Sequence, residues 1–211
     1  MKELIIVGGG GFAKEIIWLA RACGRVVKGI LDDSLEAQGY KLSAVPIVGT
    51  VADWINFENC EFIIAIGSPR VRAKVLSKMT NLGEPVFTKL IHPSVNMSEY
   101  VEIGDGTMIC AGSILTVDIK LGNHCILNLN VTVGHESIFG DFVTVAPMAA
   151  ISGNVLLDDC VEIGTGATLR QGLTVNKGSM LGMGGVLTKN IPESCVFAGN
   201  PAKKLKELPE V

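Results

Sequence analysis

The chain has 211 residues and a formal net charge of -3, with 48% hydrophobic and 18% charged residues. This length suits one large domain or two small ones with a sizeable core. No apolar segment reaches the ~18 residues of a membrane span, and a mildly acidic chain without basic clusters is not typical of nucleic-acid binding. The six cysteines form neither a CxxC pair nor a Cys/His metal spacing, and the first residues lack the layout of a signal peptide. We expect a cytoplasmic protein with reduced thiols and no bound metal.

The first predicted elements are a strand and a helix joined by glycines. The apolar residues 4–7 form a short strand, and helical spacing of apolar residues extends from 14 to 23. Between them, Gly8, Gly10 and Ala13 fit the pattern G-x-G-x-x-A. Such glycines let the backbone at a helix N-terminus approach a phosphate group. The alternative is that they only form a tight turn.

Two further strands complete the predicted front domain. Residues 26–31 form a strand that ends in Asp32 and Asp33, where an acidic side chain can hold a ribose hydroxyl. Residues 61–66 form another parallel strand, after which a helix runs from Gly67 to about residue 82. This Rossmann-like domain has about half the size of a full dinucleotide-binding domain. It therefore suits a mononucleotide or a nucleotide-sugar better than NAD.

A six-residue repeat occupies the second half of the chain. From Met97 to Leu187 every sixth residue is apolar, and the residue two positions earlier is mostly small or β-branched. Two inward side chains spaced by two describe a short strand, and the small or polar residue that follows suits a bend. Three such faces make a lap of about 18 residues, which predicts a three-sided β-helix that ends at Ile191-Pro192. A meander or sandwich would need longer strands, spaced by about 8–12 residues.

The two halves together resemble a known group of enzymes. The motifs that carry the resemblance are Gly8–Ala13 with Asp32-Asp33, Ala65–Ser68 with Arg72, Ile91–Ser94, Asn128–Asp141 and Gly199–Lys203. This combination resembles the hexapeptide-repeat sugar acyltransferases of bacteria, which include UDP-4-amino-sugar and perosamine N-acetyltransferases and the sialic acid O-acetyltransferase type. The resemblance implies a left-handed parallel β-helix, a homotrimer, and acetyl-CoA in the groove between neighbouring helices. It also implies a nucleotide-sugar-binding domain over 1–92, the β-helix over 93–192 and a CoA-proximal tail over 193–211.

His135 is the candidate general base. It follows Gly134 at a bend, beyond the inward-facing pair, so it should face solvent or a neighbouring subunit. A histidine with an unperturbed pKa near 6.5 can accept a proton at neutral pH, and Glu136 is placed to orient the imidazole. In the group that the chain resembles, the histidine at this position takes the proton from the sugar amine. The resemblance implies the same role for His135.

One lap beyond His135 stands Gly153, which should stack about 4.8 Å away. Its backbone N–H is a candidate donor to the thioester carbonyl, a use that the resemblance also implies. Asn128 and Asn130 are predicted to line the approach to His135 and to bind sugar or pantetheine. Alternatively, they are stacked asparagines at bends.

The other two histidines are assigned structural roles. His124 is offset from His135 by less than a lap, so it occupies a different edge and is expected at the surface. His92 precedes the repeat, and its expected role is to hydrogen-bond the two domains together. The chain therefore does not readily form the three-histidine zinc site of a γ-class carbonic anhydrase.

The resemblance implies the remaining ligand contacts. Those to acetyl-CoA are Thr144, Gly153, Gly199, Pro201 and Lys203, with Lys203 and Lys204 supplying charge to the phosphates. Those to the nucleotide-sugar are Gly8, Gly10, Gly11, Phe12, Asp32, Asp33, Gly67 and Asn128. Phe12 and Thr144 stand where some relatives have histidine. For the two lysines, the alternative is an ordinary solvated terminal helix.

The predicted function is N-acetylation of a nucleotide-linked amino-sugar in polysaccharide or glycan synthesis, with acetyl-CoA as co-substrate and direct transfer to the amine. The alternative reaction is O-acetylation of sialic acid or a related sugar. The alternative of another class is a non-catalytic protein that senses a nucleotide-sugar or scaffolds a complex.

Overall fold

Residues 2–211 are described by the structure, a computed structural model of the chain, with only the backbone described at Leu35. The front domain, residues 2–88, contains five strands, two α-helices and two short 3₁₀ segments. Its strands and helices are β1 (Leu4–Val7), α1 (Gly11–Ala22), β2 (Val27–Leu31), β3 (Lys41–Leu42), β4 (Val45–Gly49), β5 (Glu61–Ile64) and α2 (Pro69–Thr80). The 3₁₀ segments are Leu35–Ala37 and Val51–Phe57.

The front domain is a Rossmann-like sheet of limited width. The strand order is β3-β4-β2-β1-β5, and β1 pairs in parallel with both β2 and β5. Each predicted strand and helix is present, although α1 begins at Gly11, earlier than the apolar spacing indicated. The antiparallel hairpin of β3 and β4 is an addition to the predicted elements. Because the chain crosses to opposite sides of β1, a crevice opens at the carboxyl ends of β1 and β5.

The second half is a β-helix of short parallel strands. They are β6 (Leu90–Ile91), β7 (Asn96–Met97), β8 (Val101–Ile103), β9 (Met108–Ile109), β10 (Ile114–Leu115), β11 (Ile119–Leu121), β12 (Ile126–Leu127), β13 (Thr132–Val133), β14 (Ile138–Phe139), β15 (Thr144–Val145), β16 (Ala150–Ile151), β17 (Leu156–Leu157), β18 (Glu162–Ile163), β19 (Thr168–Leu169), β20 (Thr174–Val175), β21 (Met180–Leu181) and β22 (Val186–Leu187), followed by β23 (Cys195–Ala198) and β24 (Lys203–Glu207).

These strands form the three predicted faces. The sheet that packs against the front domain, here called the covered sheet, contains β6, β9, β12, β15, β18, β21, β23 and β24. The second sheet contains every third strand from β7 to β22, and the third sheet contains every third strand from β8 to β20. Each strand pairs with the one a lap later: Ile114 lies beside Thr132, and the hydrogen bond from Asp141 to Asp159 also spans 18 residues. The predicted lap length is therefore confirmed.

The interior of the β-helix is filled by the apolar series of the repeat. Every sixth residue from Ile109 to Leu187 is buried, and each buried aliphatic side chain stabilises the fold by about 1.5–3 kcal/mol. At the start of the helix the series is less covered, since Met97 is 38% exposed. The predicted end at Ile191-Pro192 is too early. Beyond it, β23 adds a parallel strand to the covered sheet, and β24 turns back antiparallel to β23.

The front domain packs against the covered sheet. The outward side chains Leu90, Met108 and Ile126 are buried in one cluster with the inner face of α1, including Ile16 and Ile17. The other two faces of the β-helix are left open by this packing. Within residues 2–211, no helix combines the length and the apolarity that crossing a membrane requires.

Candidate active site

His135 lies on the edge between the second and third sheets, in the bend between β13 and β14. Its side chain is 50% exposed and that of Glu136 is 65% exposed. Val133 and Ser137, on either side of this pair, are buried in the helix. The bend therefore presents two successive outward side chains, and the predicted exposure of His135 is confirmed.

The carboxylate of Glu136 contacts the imidazole of His135. Glu136 Oε2 lies 3.0 Å from His135 Nδ1, and the left-handed backbone of Glu136 (φ 58°) closes the bend. An ionised carboxylate can only accept a hydrogen bond, so this contact favours the tautomer with the proton on Nδ1. Nε2 then carries the lone pair, which is the arrangement that a general base requires.

Gly153 lies directly beside His135 on the next lap. The N–H of Asn154 donates to the carbonyl of His135 at 2.6 Å, and a Cβ at Gly153 would overlap Nε2 of the imidazole. Only a glycine leaves room for the ring in this position. The N–H of Gly153 finds no acceptor within residues 2–211 and can donate to an oxyanion. The stacking is confirmed, while the donor role stays a prediction.

A groove of about 290 Å³ runs from this edge along the third sheet. Glu136, Asn154 and Thr174 contribute polar groups to its lining. Ile138 and Leu156 contribute apolar side chains that are 48% and 41% exposed. The groove can therefore accept an elongated ligand with both polar and apolar parts beside the imidazole.

The predicted nucleotide site lies at the carboxyl ends of β1 and β5. Helix α1 begins after Gly10 without a side-chain cap and without an acidic residue in its first turn. A Cβ at Gly10 or Gly11 would meet nothing within 4 Å among the described residues. The N–H groups of Gly11 and Phe12 donate to no acceptor within residues 2–211, so both are available to a phosphate group. Gly8 has φ 100° and lies against Ile66, so it shapes the turn itself.

The two predicted acidic residues differ in their surroundings. Asp32 accepts a hydrogen bond from the N–H of Gly9 at 2.5 Å, which places it within the glycine loop. Asp33 accepts from Lys78 Nζ at 2.7 Å and from the N–H of Val51 at 3.0 Å. Partial burial acts to raise the pKa of Asp33, but these hydrogen bonds outweigh it and the net pKa is lowered. Asp33 is thus engaged in holding the fold, and the ribose contact stays a prediction.

Gly67 and Thr144 meet where the two domains join. The hydroxyl of Thr144 donates to the carbonyl of Gly67 at 2.8 Å and accepts from Arg72 Nη2 at 2.8 Å. Thr144 lies on the covered sheet, away from the edge that carries His135. Its acetyl-CoA contact stays a prediction, and its partners within the chain are those of the domain joint. Gly67 itself borders the crevice, with open space at its Cβ position among the described residues.

Phe12 and the two asparagines lie where the front domain meets the β-helix. Phe12, in the first turn of α1, is half-buried and packs on the same cluster as Leu129. Asn128 and Asn130 occupy the edge between the covered and second sheets, one edge away from His135. Asn128 Oδ1 accepts from the N–H of Leu129 at 2.7 Å. Within one chain the asparagines therefore do not line the approach to His135 as expected, and their ligand contacts stay predictions.

The C-terminal segment is a β-hairpin. Gly199 has φ 97° and, with Pro201, forms the turn between β23 and β24. Lys203 is exposed on β24, and Lys204 Nζ pairs with Glu207 Oε1 at 2.7 Å. The alternative of a terminal helix is wrong. The acetyl-CoA contacts of Gly199, Pro201 and Lys203 stay predictions.

The expectation that His124 lies at the surface is wrong. His124 is only 4% exposed; its ring stacks on Phe142 at 5.4 Å and meets the edge of Phe87 at 4.5 Å, measured between ring centroids. Burial, followed by the nearby charge of Arg72, lowers the pKa of His124 to about 4. Phe87 belongs to the front domain, so the six-residue repeat alone does not predict that His124 is buried.

His92 contacts the front domain in a different way from that expected. Its ring lies 5.5 Å from the Trp18 ring of α1, and its Nδ1 contacts the hydroxyl of Ser94 at 2.8 Å. The hydrogen bond thus stays within the turn, while the ring makes the contact between domains. Within residues 2–211, no group of three or more His, Cys, Asp or Glu side chains is arranged to hold a metal ion.

The motif that contains Arg72 does not by itself indicate a role for this side chain. It is fully buried on the inner face of α2, together with Pro69 and Met79. Its position on that face at helical spacing was the signal that could have identified it as a buried arginine.

The crevice and His135 lie on opposite sides of one chain. The front domain covers one face of the three-sided helix, and His135 lies on the edge between the other two faces. An exposed imidazole with its carboxylate, beside an open groove on a β-helix, together with an uncapped helix N-terminus in the front domain, defines an acyltransferase of the β-helix class.

Comparisons with known proteins agree with this class. Residues 3–79 match the family described as "PglD N-terminal domain". The chain is 29% identical, over 97% of its length and 96% of the relative, to GDP-perosamine N-acetyltransferase of Escherichia coli O157:H7. A histidine-to-asparagine variant of perosamine N-acetyltransferase from Caulobacter crescentus, solved with CoA and GDP-perosamine, matches with a TM-score of 0.91, 30% identity and 98% coverage of both chains. The acetyltransferase domain of PglB from Neisseria gonorrhoeae, solved with acetyl coenzyme A, matches with a TM-score of 0.89, 33% identity and coverage of 97% and 99%.

The chain belongs to the hexapeptide-repeat sugar acyltransferases. The predicted fold class, a Rossmann-like half domain followed by a left-handed parallel β-helix, is confirmed.

Proposed function

We propose that this enzyme transfers the acetyl group of acetyl-CoA to the amino group of a nucleotide-linked amino-sugar. The observation that carries the proposal is the exposed imidazole of His135, with Nδ1 held by Glu136 and Nε2 over Gly153. The Caulobacter relative was solved with CoA and GDP-perosamine and the Neisseria relative with acetyl coenzyme A, which supports both substrates.

The geometry supports a direct transfer in two steps. The sugar amine attacks the thioester carbonyl carbon while His135 Nε2 accepts the proton that the nitrogen loses. The carbonyl oxygen becomes an oxyanion, to which the N–H of Gly153 donates. When the tetrahedral intermediate collapses, the C–S bond breaks, and the imidazolium returns the proton to the CoA thiolate. Glu136 keeps the imidazole in the reactive tautomer and stabilises its protonated form.

The cysteines support direct transfer rather than an acyl-enzyme. All six are free, and five of them are buried. Burial raises the pKa of Cys110 and of Cys125 to about 12, so neither thiol ionises readily to act as a nucleophile. Free buried thiols also fit the cytoplasmic location that we propose.

The crevice of the front domain is the proposed nucleotide-sugar site. The open first turn of α1 at Gly10 and Gly11 suits the diphosphate, and Asp32 lies beside the same loop. Gly67 borders the other side of the crevice. The sugar itself would extend from this crevice toward an imidazole.

That imidazole belongs to a neighbouring copy of the chain, in the homotrimer that we propose. Within one chain, the front domain and the edge with His135 lie on opposite sides of the β-helix. The exposed apolar side chains Val117, Ile138 and Leu156 flank His135 and suit contact with a second copy. The groove beside His135 would then become the acetyl-CoA channel between two helices.

The reaction is tested with UDP-, dTDP- and GDP-linked 4-amino-sugars and acetyl-CoA, by following release of the free thiol. We expect turnover with at least one of them and none with sialic acid. If none of these amino-sugars causes thiol release and sialic acid does, the result would instead support O-acetylation. Binding of a nucleotide-sugar without any thiol release would support the non-catalytic alternative.

The shared site is tested by complementation between two inactive variants. Gly11→Asp places a negative charge at the N-terminus of α1, where it should repel the diphosphate, while the neutral Gly11→Asn is the matched control. Co-expression of Gly11→Asp with His135→Ala should restore activity, because mixed trimers contain sites with an intact crevice and an intact histidine. If each site lay within one chain, the mixture would stay as inactive as its components.

A further inference from the structure

Arg72 is a buried cation at the joint between the two domains. It lies on α2, it is 0% exposed, and its guanidinium reaches from the front domain to the covered sheet of the β-helix. No carboxylate within residues 2–211 forms a salt bridge with it; its acceptors are backbone carbonyls and one hydroxyl.

The acceptors come from both domains. On the front domain, the guanidinium donates to two consecutive carbonyls of the loop that follows β5. On the β-helix, it donates to acceptors on two successive laps. The acceptor atoms and their distances are Ile66 O at 2.6 Å, Gly67 O at 3.0 Å, His124 O at 2.8 Å, Phe142 O at 2.7 Å, Val143 O at 3.4 Å and Thr144 Oγ1 at 2.8 Å.

Packing alone does not account for a cation at this position. Burying a guanidinium is costly, and an apolar residue of similar volume would usually stabilise a joint at least as well. Burial lowers the pKa of Arg72 to about 10, so the side chain remains charged at neutral pH. What the arginine provides is a rigid planar set of five N–H donors, which fixes the direction of every group that accepts from it.

We propose that Arg72 is a positioning residue for the nucleotide-sugar, because it fixes the Ile66–Gly67 loop to two laps of the β-helix and so sets the orientation of the crevice. The inference rests on the proposed function, in which the front domain binds the nucleotide-sugar. None of the residues that accept hydrogen bonds from Arg72 lines the groove beside Glu136, which is the proposed acetyl-CoA channel. Loss of Arg72 should therefore act on one substrate and spare the other.

The test is steady-state kinetics of Arg72→Ala in the full-length protein, with each substrate varied in turn. A shift of about 1 Å in a bound reactant can cost about 100-fold, so we expect kcat/KM for the nucleotide-sugar to fall by about that factor. KM for acetyl-CoA should stay within about twofold of the wild-type value. Lys74→Ala is the matched control, because Lys74 is an exposed cation on the same helix.

Chemical rescue separates positioning from general damage to the fold. Millimolar guanidinium, which fits the volume and charge that Arg72→Ala removes, should recover a large part of kcat/KM for the nucleotide-sugar. Urea, a neutral molecule of similar shape, should not. If Arg72→Ala does not fold, Arg72→Lys takes its place: its single ammonium cannot reach both sets of acceptors, so KM for the nucleotide-sugar should rise about tenfold.

An unchanged kcat/KM for the nucleotide-sugar in Arg72→Ala, a rise in KM for acetyl-CoA beyond about twofold, or a defect that guanidinium leaves in place would each overturn the inference. A wild-type enzyme that turns over none of the amino-sugars would contradict the proposed function, and the inference with it. An active wild type with unaffected Arg72 variants would remove the inference alone.

Discussion

The two histidines of the β-helix occupy neighbouring edges of the same prism and have opposite surroundings. The side chain of His135 is 50% exposed beside an open groove, whereas His124 is 4% exposed between Phe87 and Phe142. The repeat directs both side chains outward. The difference arises from the front domain, which covers the edge of His124 and leaves that of His135 open. An outward position in a repeat therefore becomes a reactive site or a joint according to what packs on it.

Burial beneath the front domain also changes the chemistry of the His124 imidazole. Burial and the charge of Arg72 lower the pKa of His124 to about 4, so this histidine is neutral at physiological pH and enclosed by aromatic rings. His135 instead has Glu136 at Nδ1, while its Nε2 has no hydrogen-bond partner within residues 2–211 and the side chain is half exposed. The comparison predicts that His135 matters for turnover and His124 for stability.

The largest expected effect is that of His135→Ala on turnover. Loss of the general base should lower kcat by about 1,000-fold. The free energy of unfolding should change by no more than about 0.5 kcal/mol, because the side chain is exposed. Thiol release measures the first quantity and urea denaturation the second. A near-normal kcat in this variant would show that His135 is not the general base. The two histidines would then not differ in function as the comparison predicts.

The next effect concerns the covered histidine and depends on pH. The pKa of His124 is about 4 in the folded chain and about 6.5 when unfolded, so only the unfolded state gains a proton as pH falls between these values. The contribution of neutral His124 to the free energy of unfolding is therefore fully present above about pH 6.5. It is lost, by about 3 kcal/mol, as pH falls toward 4. His124→Phe, which keeps an aromatic ring, should show a decline that is smaller by this amount.

Urea denaturation at pH 7 and pH 4.5 measures this difference, and the comparison with the variant cancels the contribution of the carboxylates. Equal declines in the two proteins would show that His124 does not resist protonation. The buried and exposed edges would then not differ in the way described.

These cases show which parts of the molecule could be predicted from the sequence. The six-residue periodicity determines which side chains point inward, so the lap length and the stacking of Gly153 on His135 followed from the spacing. The burial of His124 did not follow, because Phe87 lies outside the repeat and approaches only after the two domains pack. The role of Arg72 could not be predicted for the same reason, because its acceptors Phe142 and Thr144 are 70 and 72 residues away in the sequence.

Gly153→Ala tests whether the position of the His135 imidazole depends on the absence of a side chain at residue 153. The added methyl group overlaps His135 Nε2 and must displace the imidazole, so kcat should fall by about 30-fold. In the His135→Ala background the same change should lower kcat further by no more than about twofold. This double-mutant cycle is the control. Equal losses in both backgrounds would show that the methyl group acts elsewhere than on the imidazole.

Glu136→Gln is expected to have a smaller effect at the same edge. The amide can still contact Nδ1 but no longer stabilises the imidazolium by charge. Because both side chains are half exposed or more, solvent screens the pair and we expect kcat to fall by about tenfold. The loss should be present at low salt and diminish at high salt, where the wild-type pair is itself screened. A loss independent of salt would point to the orientation of the ring instead of its charge.

The smallest effect, from Thr144→Val, decides which substrate the covered sheet serves. The variant keeps the shape of the side chain but removes the hydroxyl that donates to Gly67 and accepts from Arg72. Loss of these hydrogen bonds should raise KM for the nucleotide-sugar by about fivefold and leave KM for acetyl-CoA unchanged. If KM for acetyl-CoA rises instead, Thr144 contacts the co-substrate as the resemblance implied. The covered face would then contribute to both substrate sites, and the division between a reactive edge and a structural face would no longer hold.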